Sequence, residues 1–559
     1  MKVKRIRTLA GPNIYSHKPV LVMQIELDGA DEKSLSENHG FIERLEDLTA
    51  NRNMPRRKMR EIRTAENDLA EAVKNVALGL SNLAGFGTVG GSVRFSGDAE
   101  IYEIAVEYKS EPAARFLLET AVETVRAALK NQSFPVLAKI AEARALAETD
   151  RENDLSFLPN QKPKIPIVAI TGTNGKTTVT RLTAHVLLQT GLNIGTTTTD
   201  GILLNGEIIQ PGDTTGPASA KIVLENAMVD IAVLETARGG IMRRGLGWDW
   251  ADIAVVTNIT EDHIGQDGIE SVADLVNVKS LIAERVRKNG TLILNADDAE
   301  SAALAARSAV KKIEKKIVYF AMSEENPILM QHSETGEAIY FVRDGWIYEK
   351  RGAEVLPIAE TIKIPIAMMG TADFQIQNAM AVVAVGRALD LPPEKIAAGL
   401  YAFQNDIHNP GRNNFYRVGK GYALIDYGHN PKALEALCRM TSRWQGKTIT
   451  GIISFPGDRR DDVIEAAGRI AVAGFDRIIV KGDVNLRGRK SGEVAEMLRR
   501  IVLDAGNQKE CEIALDAAQA FEEAIAQIKE NEVIVFFYEK LAPVLATLEK
   551  YGAKATTGF

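Results

Sequence analysis

The run Ile167-Val-Ala-Ile-Thr-Gly172-Thr173-Asn174-Gly175-Lys176-Thr177-Thr178 decides how the rest of the chain is read. An apolar run long enough for one strand leads into a glycine-bearing turn, and a helix-like segment follows. Strand, glycine-rich turn and helix form the setting a phosphate-binding loop needs. Glycines let backbone N–H groups come close to an anion, and a helix start adds a favourable dipole. In such a loop Gly172, Thr173, Asn174, Gly175 and Thr178 surround the phosphates. Lys176 reaches the outer phosphates, and the Thr177 hydroxyl is offered to Mg²⁺. The commoner pattern has glycine five residues before Gly175, where this chain has Ile170, so the match is to the shorter GTNGKT form. The alternative is an ordinary strand–helix turn with a surface lysine. The agreement of strand, loop and helix weighs against it.

Downstream of the loop, strand-like and helix-like segments alternate to the end of the chain. The strands are read at Ile231–Leu234, Ile253–Thr257, Thr291–Leu294, Ala423–Ile425, Ile478–Val480 and Val533–Phe537. This alternation predicts an α/β fold built on parallel sheets with helical crossovers. Ligands of such sheets gather at the carboxyl ends of the strands, so charged residues there are the candidates. Glu235 ends one strand and suits Mg²⁺ through its oxygens. Arg238 follows it. His263 lies just past another strand end, in Asn258-Ile-Thr-Glu-Asp-His263. Asn295 opens Asn-Ala-Asp-Asp298 after a third, where it would either contact a nucleotide or cap the next helix. Lys279 sits in the helix-like stretch VADLVNVKSLIAERV, and by itself would be a surface lysine. Around residues 316 to 358, the segments IVYF, AIYFV and GWIYEK predict an antiparallel flap.

Ahead of the loop, Leu155 to Pro166 carries three prolines and is the best linker. The segment before it mixes strands (Val20–Ile25, Glu103–Tyr108) with helices (Ala65–Leu83, Ala113–Leu129), which predicts a small α+β domain. It holds a basic run, Arg56, Arg57, Lys58, Arg60 and Arg63, read either as a site for an acidic peptide or as a solvated face. At 559 residues the chain has room for about three or four domains. The boundaries expected are 1–160, 161–410 and 411–559. Its net charge of −7 does not favour nucleic acid or anionic membranes as partners. Two distant cysteines, Cys438 and Cys511, exclude a disulfide framework or a four-cysteine zinc site. With neither a signal-like start nor a membrane-length apolar run, the chain reads as cytoplasmic.

In order, GTNGKTT, ETARGG, TNITEDH, Lys279, NADD, Gln377-Asn-Ala379, Gly411-Arg412 and Asp426-Tyr-Gly-His-Asn-Pro431 resemble the Mur ligase family. Within it, Thr199-Asp-Gly201, Gly212-Asp-Thr-Thr-Gly-Pro217, Gly457-Asp-Arg-Arg-Asp461 and Arg487-Gly-Arg489 resemble the cyanophycin synthetases most, as do Leu9-Ala-Gly-Pro-Asn13 and Val76-Ala-Leu-Gly-Leu80. The ATP-grasp domain of those enzymes has no counterpart between the first domain and the linker. The first domain also departs from them, with Glu71-Ala-Val-Lys-Asn75 where a histidine- and glutamate-bearing helix is expected.

The resemblance implies an N-terminal cyanophycin-synthetase-like substrate domain, a central ATPase domain and a Rossmann-like C-terminal domain. It implies that Lys176 and Thr177 bind phosphate and Mg²⁺, and that Glu235 and His263 are metal ligands. It implies that Lys279 is the lysine often carbamylated, and that Asn378, Arg412 and Asp426 hold adenine, phosphate and ribose. His429 and Asn430 lie beside them, and Arg487 and Arg489 form a second candidate substrate loop. The activity implied is ATP- and Mg²⁺-dependent joining of a carboxylate, on an acidic amino acid, peptide or polymer, to an amino acid amine. Dimers or tetramers are implied too. Two rivals are an ATP-binding scaffold derived from a ligase and an amidating subunit fed with ammonia. The scaffold has no need of Lys176, Glu235, His263, Lys279 and Arg412 together. The amidating subunit commonly carries a cysteine-rich zinc insert.

Overall fold

A computed structural model of the chain describes residues 1–27, 35, 41, 45, 69–87, 89–96, 100–150, 165–262, 264–266, 268–428, 430–482, 486, 488–505, 511–514 and 516–559. The basic run from Arg56 to Arg63, most of the proline-bearing linker, His263, His429 and Arg487 lie outside these residues. Three sheets organise what is described.

The first sheet is antiparallel, in the order β1 (Lys2–Leu9), β2 (Val20–Glu26), β4 (Ile101–Glu107), β3 (Gly91–Phe95). Side chains alternate across a strand, so Leu21, Met23, Ile25, Ile104 and Val106 face one way and join a core with the helices Leu69–Leu83, Glu111–Leu129 and Val136–Thr149. The opposite face is largely polar. There the buried Glu103 accepts from Arg7 at 2.7 Å, from Gln24 at 2.9 Å and from the Tyr15 hydroxyl.

The second sheet has 11 strands: β5 (Ile167–Thr171), β6 (Ile194–Thr197), β7 (Gly201–Leu204), β8 (Glu207–Pro211), β9 (Ile231–Glu235), β10 (Ala251–Val256), β11 (Val286–Asn295), β12 (Lys316–Ala321), β13 (Ile339–Arg343), β14 (Trp346–Arg351) and β15 (Glu354–Glu360), ordered 15-14-13-12-11-10-5-9-6-7-8. The middle strands are parallel, and β5 is buried along its whole length because helices cover both faces. The expected flap is corrected here. IVYF is β12, which runs parallel to both β11 and β13, so within residues 316 to 358 the antiparallel pairing is confined to β13 to β15, and these strands extend the main sheet.

The third sheet has seven strands: β16 (Asn414–Val418), β17 (Gly421–Asp426), β18 (Thr448–Ile453), β19 (Arg477–Lys481), β20 (Cys511–Ala514), β21 (Glu532–Phe537) and β22 (Lys554–Ala555), ordered 20-19-18-21-17-16-22. Strands 20-19-18-21-17 are parallel.

The crossing between the second and third sheets is knotted by asparagines. Asn405 Nδ2 donates to the carbonyls of Arg412 and Asn413 at 2.9 Å, and Asn414 Nδ2 donates to those of Asn405 and Asn409 at 2.9 and 3.1 Å. Asn409 Nδ2 reaches Thr178 Oγ1 at 3.2 Å, fastening the crossing to the helix that begins at Lys176. Among the described residues no helix is long and apolar enough to cross a membrane.

Candidate active site

The phosphate loop is shaped by its neighbours as much as by its own glycines. Gly175 caps the helix Lys176–Leu188 at φ 84°. A Cβ there would lie 2.4 Å from Asn378 Oδ1, and one on Gly172 would strike Thr257 Oγ1 at 1.9 Å, so glycine is needed at both. The exit of β10 clamps the loop from below. Thr173 N donates to Asn258 O and Asn174 N to Asn258 Oδ1, both at 2.9 Å, while Thr257 Oγ1 donates to Asn174 O at 2.6 Å.

Lys176 turns back and donates to Thr173 O at 2.9 Å. Burial pushes its ammonium below the usual lysine range, and Glu235 and Asp262 oppose that shift. Glu235, 2% exposed at the end of β9, collects hydroxyls. Thr177 Oγ1 donates to its Oε1 at 3.2 Å and Thr199 Oγ1 to the same atom at 3.0 Å. Three oxygen-bearing side chains thus meet at the first turn of the phosphate helix, a donor set of the kind Mg²⁺ takes. Thr199 was quoted in sequence only as part of a motif.

Lys279 is 3% exposed. Its helix, Val272–Glu284, starts at a capping box in which Ser271 and Asp274 satisfy each other's backbone N–H groups. That start fixes the phase that aims Lys279 inward, where Nζ donates to Gly172 O at 2.7 Å. Burial, aided by Lys176 nearby, pushes its ammonium well below the lysine range, with Asp262 opposing.

The third sheet brings its own carboxyl edge over this site. Arg412 lies 4.5 Å from the Tyr427 ring centre. Asp426, ending β17, accepts from Asn413 N at 2.7 Å and Gly428 N at 2.6 Å. Asn430 Nδ2 donates to Asn174 Oδ1 at 2.9 Å, so a helix cap of one sheet touches the phosphate loop of the other. Deeper in, Arg459 and Asp262 pair at 3.0 Å, both buried. Lys481, also buried, donates to Ser454 Oγ at 2.7 Å. Neither Arg459 nor Lys481 was singled out from sequence. The only signal was Arg459's place in Gly457-Asp-Arg-Arg-Asp461.

One cleft of about 1080 Å³ joins these groups. Gly172 to Thr178, Glu235, Arg238, Lys279, Asn295, Asn378, Arg412 and Asp426 all line it. Phe320, Met322, Phe374, Leu437 and Met440 add apolar wall near Asn378, which sequence reading missed because each looks like ordinary core. The Asn295 amide is engaged internally, donating to Thr257 O and accepting from Asp297 N, both at 2.9 Å. Arg489 stands apart from the cleft. It donates to Gly457 O and Arg459 O at 2.8 Å and pairs with Asp461, bracing the loop that carries Arg459.

Residues 170–386 match the Mur ligase middle domain, and residues 411–537 match the Mur ligase, glutamate ligase domain. The chain is 38% identical over 397 residues to cyanophycin synthetase of Synechocystis sp., a match covering 71% of this chain and 45% of that protein. It is 37% identical over 398 residues to cyanophycin synthetase of Crocosphaera subtropica, with the same coverage. The chain spans less than half the length of these relatives. UDP-N-acetylmuramoyl-L-alanyl-D-glutamate–2,6-diaminopimelate ligase of Geobacter metallireducens is 28% identical over 372 residues, covering 64% of this chain and 66% of that one. A solved bifunctional folylpolyglutamate synthase/dihydrofolate synthase with Mn, AMPPNP and L-glutamate bound shares the fold. Its TM-score is 0.51 over 69% of this chain and 90% of its own, at 19% identity.

Proposed function

The chain belongs to the Mur ligase family, and from that footing we propose that it is an ATP- and Mg²⁺-dependent amide ligase. It joins the carboxylate of an acidic amino acid or peptide to the amine of an amino acid through an acyl-phosphate, releasing ADP and phosphate. The observation that carries this reading is the meeting, in one cleft, of a phosphate loop, the Thr177–Thr199–Glu235 oxygens and two buried lysines.

In this reading ATP lies with its phosphates along Gly172–Thr178 and its base against Phe374, Met322 and Asn378. The carboxylate attacks the γ-phosphorus and ADP leaves. Charge builds on the phosphoryl oxygens during this step, and Lys176 and Arg412 stabilise it from two sides. Mg²⁺, held through Thr177 and Glu235 with His263 as the family's further ligand, neutralises phosphate charge when bound. The Asn174–Asn430 and Asp262–Arg459 contacts hold the third sheet over the site, which keeps water from the acyl-phosphate until the amine arrives. The amine attacks the acyl carbon, forms the C–N bond and expels phosphate. Lys279 is the lysine the family resemblance gives for carbamylation, and burial pushes its ammonium in the direction of the unprotonated nitrogen that reaction requires. Arg238 and the first sheet are assigned to the carboxylate partner, as the cyanophycin synthetase resemblance suggests.

The test is a product screen with ATP, Mg²⁺, aspartate peptides or glutamate, and a panel of amino acids, following phosphate and product mass. The expected result is ADP formation that depends on one pair, with a mass equal to their sum less water. Lys176→Ala is expected to lower turnover at least 100-fold. ATP binding without turnover on any pair would overturn the ligase in favour of a scaffold.

A further inference from the structure

Among the described residues, three hydrogen-bonded contacts join the first sheet and its loops to the second, each near an element that lines the cleft. Pro12 O accepts from Leu246 N at 2.8 Å, directly after the helix Arg238–Arg244. At that point Gly245 has φ 76°, and a Cβ on it would lie 2.9 Å from Pro12 O and 3.1 Å from Gly11 O. His17 Nε2 meets Glu284 Oε2 at 3.0 Å, at the end of the helix that carries Lys279. Arg94 on β3, cross-strand neighbour of Glu103, donates to the carbonyl of Gly268.

The third contact has the widest reach. Gly268 belongs to a tight loop that closes on itself, with Gly265 N donating to Ile269 O at 2.7 Å and Ile269 N to Gln266 O at 3.0 Å. This loop comes after β10, which ends at Val256, and after Asp262, partner of Arg459. The Gln266 carbonyl accepts from Arg238 Nη1 at 3.3 Å, and the Gln266 side chain donates to Asp458 O at 3.4 Å. One short loop therefore receives Arg94 from the first sheet, Arg238 from the second and the Arg459-bearing loop from the third. None of these contacts reaches the phosphate loop itself.

We propose that Arg94 is a positioning residue. Through Gly268 it holds the turn that bears Gly265, Gln266 and Ile269, and through Gln266 that turn sets the Arg238 guanidinium on the carboxylate-substrate side of the cleft. The first sheet then governs capture of the carboxylate partner while leaving ATP binding to the second and third sheets. A guanidinium suits the task, because its planar fork presents several donors in a fixed geometry able to grip a carbonyl. The inference rests on the ligase reading for its substrate arm and on geometry alone for its structural arm.

The structural arm uses hydrogen–deuterium exchange on the full chain with Mg–AMPPNP. In Arg94→Ala, the amides of Gly265 and Ile269 are expected to exchange at least 10-fold faster. Peptides spanning Lys176–Leu188 keep the wild-type rate, and Arg94→Lys lies between the two. A loop that exchanges as in wild type, or a rise spread evenly through the phosphate helix, overturns the proposal. Gly245→Ala supplies a second variant, expected to speed exchange at Leu246 without moving Gly265. The substrate arm uses the pair found by the product screen. Arg94→Ala raises KM for the carboxylate about 10-fold, Arg94→Lys recovers part of it, and kcat and the AMPPNP Kd stay within about twofold. An unchanged KM, or a matching loss of AMPPNP affinity, overturns it. A screen that finds no pair removes the ligase reading and leaves the exchange result to decide the role of Arg94.

Discussion

Neutralising one member of the buried Asp262–Arg459 pair is expected to loosen the closed arrangement far more than neutralising both. The two groups lie 3.0 Å apart with little exposure. At an effective dielectric near 20, two charges at that distance attract by about 5–6 kcal/mol. Desolvation takes back much of this, so the pair's net worth is small. Removing one partner is different and costs up to about 3–5 kcal/mol, eased by the neighbours that remain, Asp458 at 3.2 Å from Arg459 and Lys176 and Lys279 near Asp262. That cost falls on the closed state, since parting the sheets would return either charge to water. Asp262→Asn and Arg459→Gln should each weaken closure by about 3 kcal/mol, roughly a hundredfold in the equilibrium. The double variant should recover a large part. The assay is the closed fraction, read from the radius of gyration in solution with and without Mg–AMPPNP. The expected coupling is about 2 kcal/mol or more. Strict additivity, within about 0.5 kcal/mol, would refute the reasoning, because it would mean the two side chains do not sense each other.

Further outcomes are expected on the same footing. Gly175→Ala forces a side chain into a left-handed residue and onto Asn378 Oδ1, so nucleotide affinity should fall at least 10-fold while the far-ultraviolet dichroism stays native. With ¹³CO₂, wild type should show a carbamate carbon resonance that Lys279→Arg lacks, since the neutral amine of Lys279 is the reacting form. Its absence in wild type across pH 7 to 9 would count against carbamylation. His185 is held at about 4 by burial and by His408 beside it. The unfolded value is near 6.5, so between these limits the unfolded chain binds the extra proton and stability drops as pH falls. Solvent screening at this half-buried site reduces the drop to about 1 kcal/mol between pH 6.5 and 4.5. Chemical denaturation of His185→Phe should show a flatter profile over that range.

The fold was legible wherever local pattern and tertiary setting agreed. β5, β9, β19 and β21 read as short apolar runs, the first three ending in a polar residue, because helices cover both faces of their sheets. The error at residues 316–358 has a plain cause. Strand length and polar punctuation are alike for an edge hairpin and for the last parallel strands of a large sheet, and only the partner distinguishes them. In the site, residues with a chemical reason to sit at a strand end, such as Lys176 and Glu235, could be picked from sequence. Asp262, Arg459 and Lys481 could not, since their meaning lies in tertiary contacts, the first two paired across some 200 positions and Lys481 meeting Ser454 on the neighbouring strand's exit. Arg489 shows the converse. Its motif drew attention, yet its guanidinium is occupied in holding a loop. Arg94 carries no motif at all, and its interest comes from Gly268, 174 residues away.

The asparagine-knotted crossing has a mechanical meaning. Because Asn409 is tied to Thr178, the fulcrum on which the third sheet would swing sits beside the phosphate helix. Displacement in a rotation grows with distance from the fulcrum. Arg412 and Asp426 lie close to it, whereas β18, which leads to Arg459, stands two strands beyond β17, about 9–10 Å further out. A small swing would therefore part the Arg459 end first and leave the nucleotide end almost still. Such a lever would let a finished product depart while the spent nucleotide is still gripped, giving departures a fixed order.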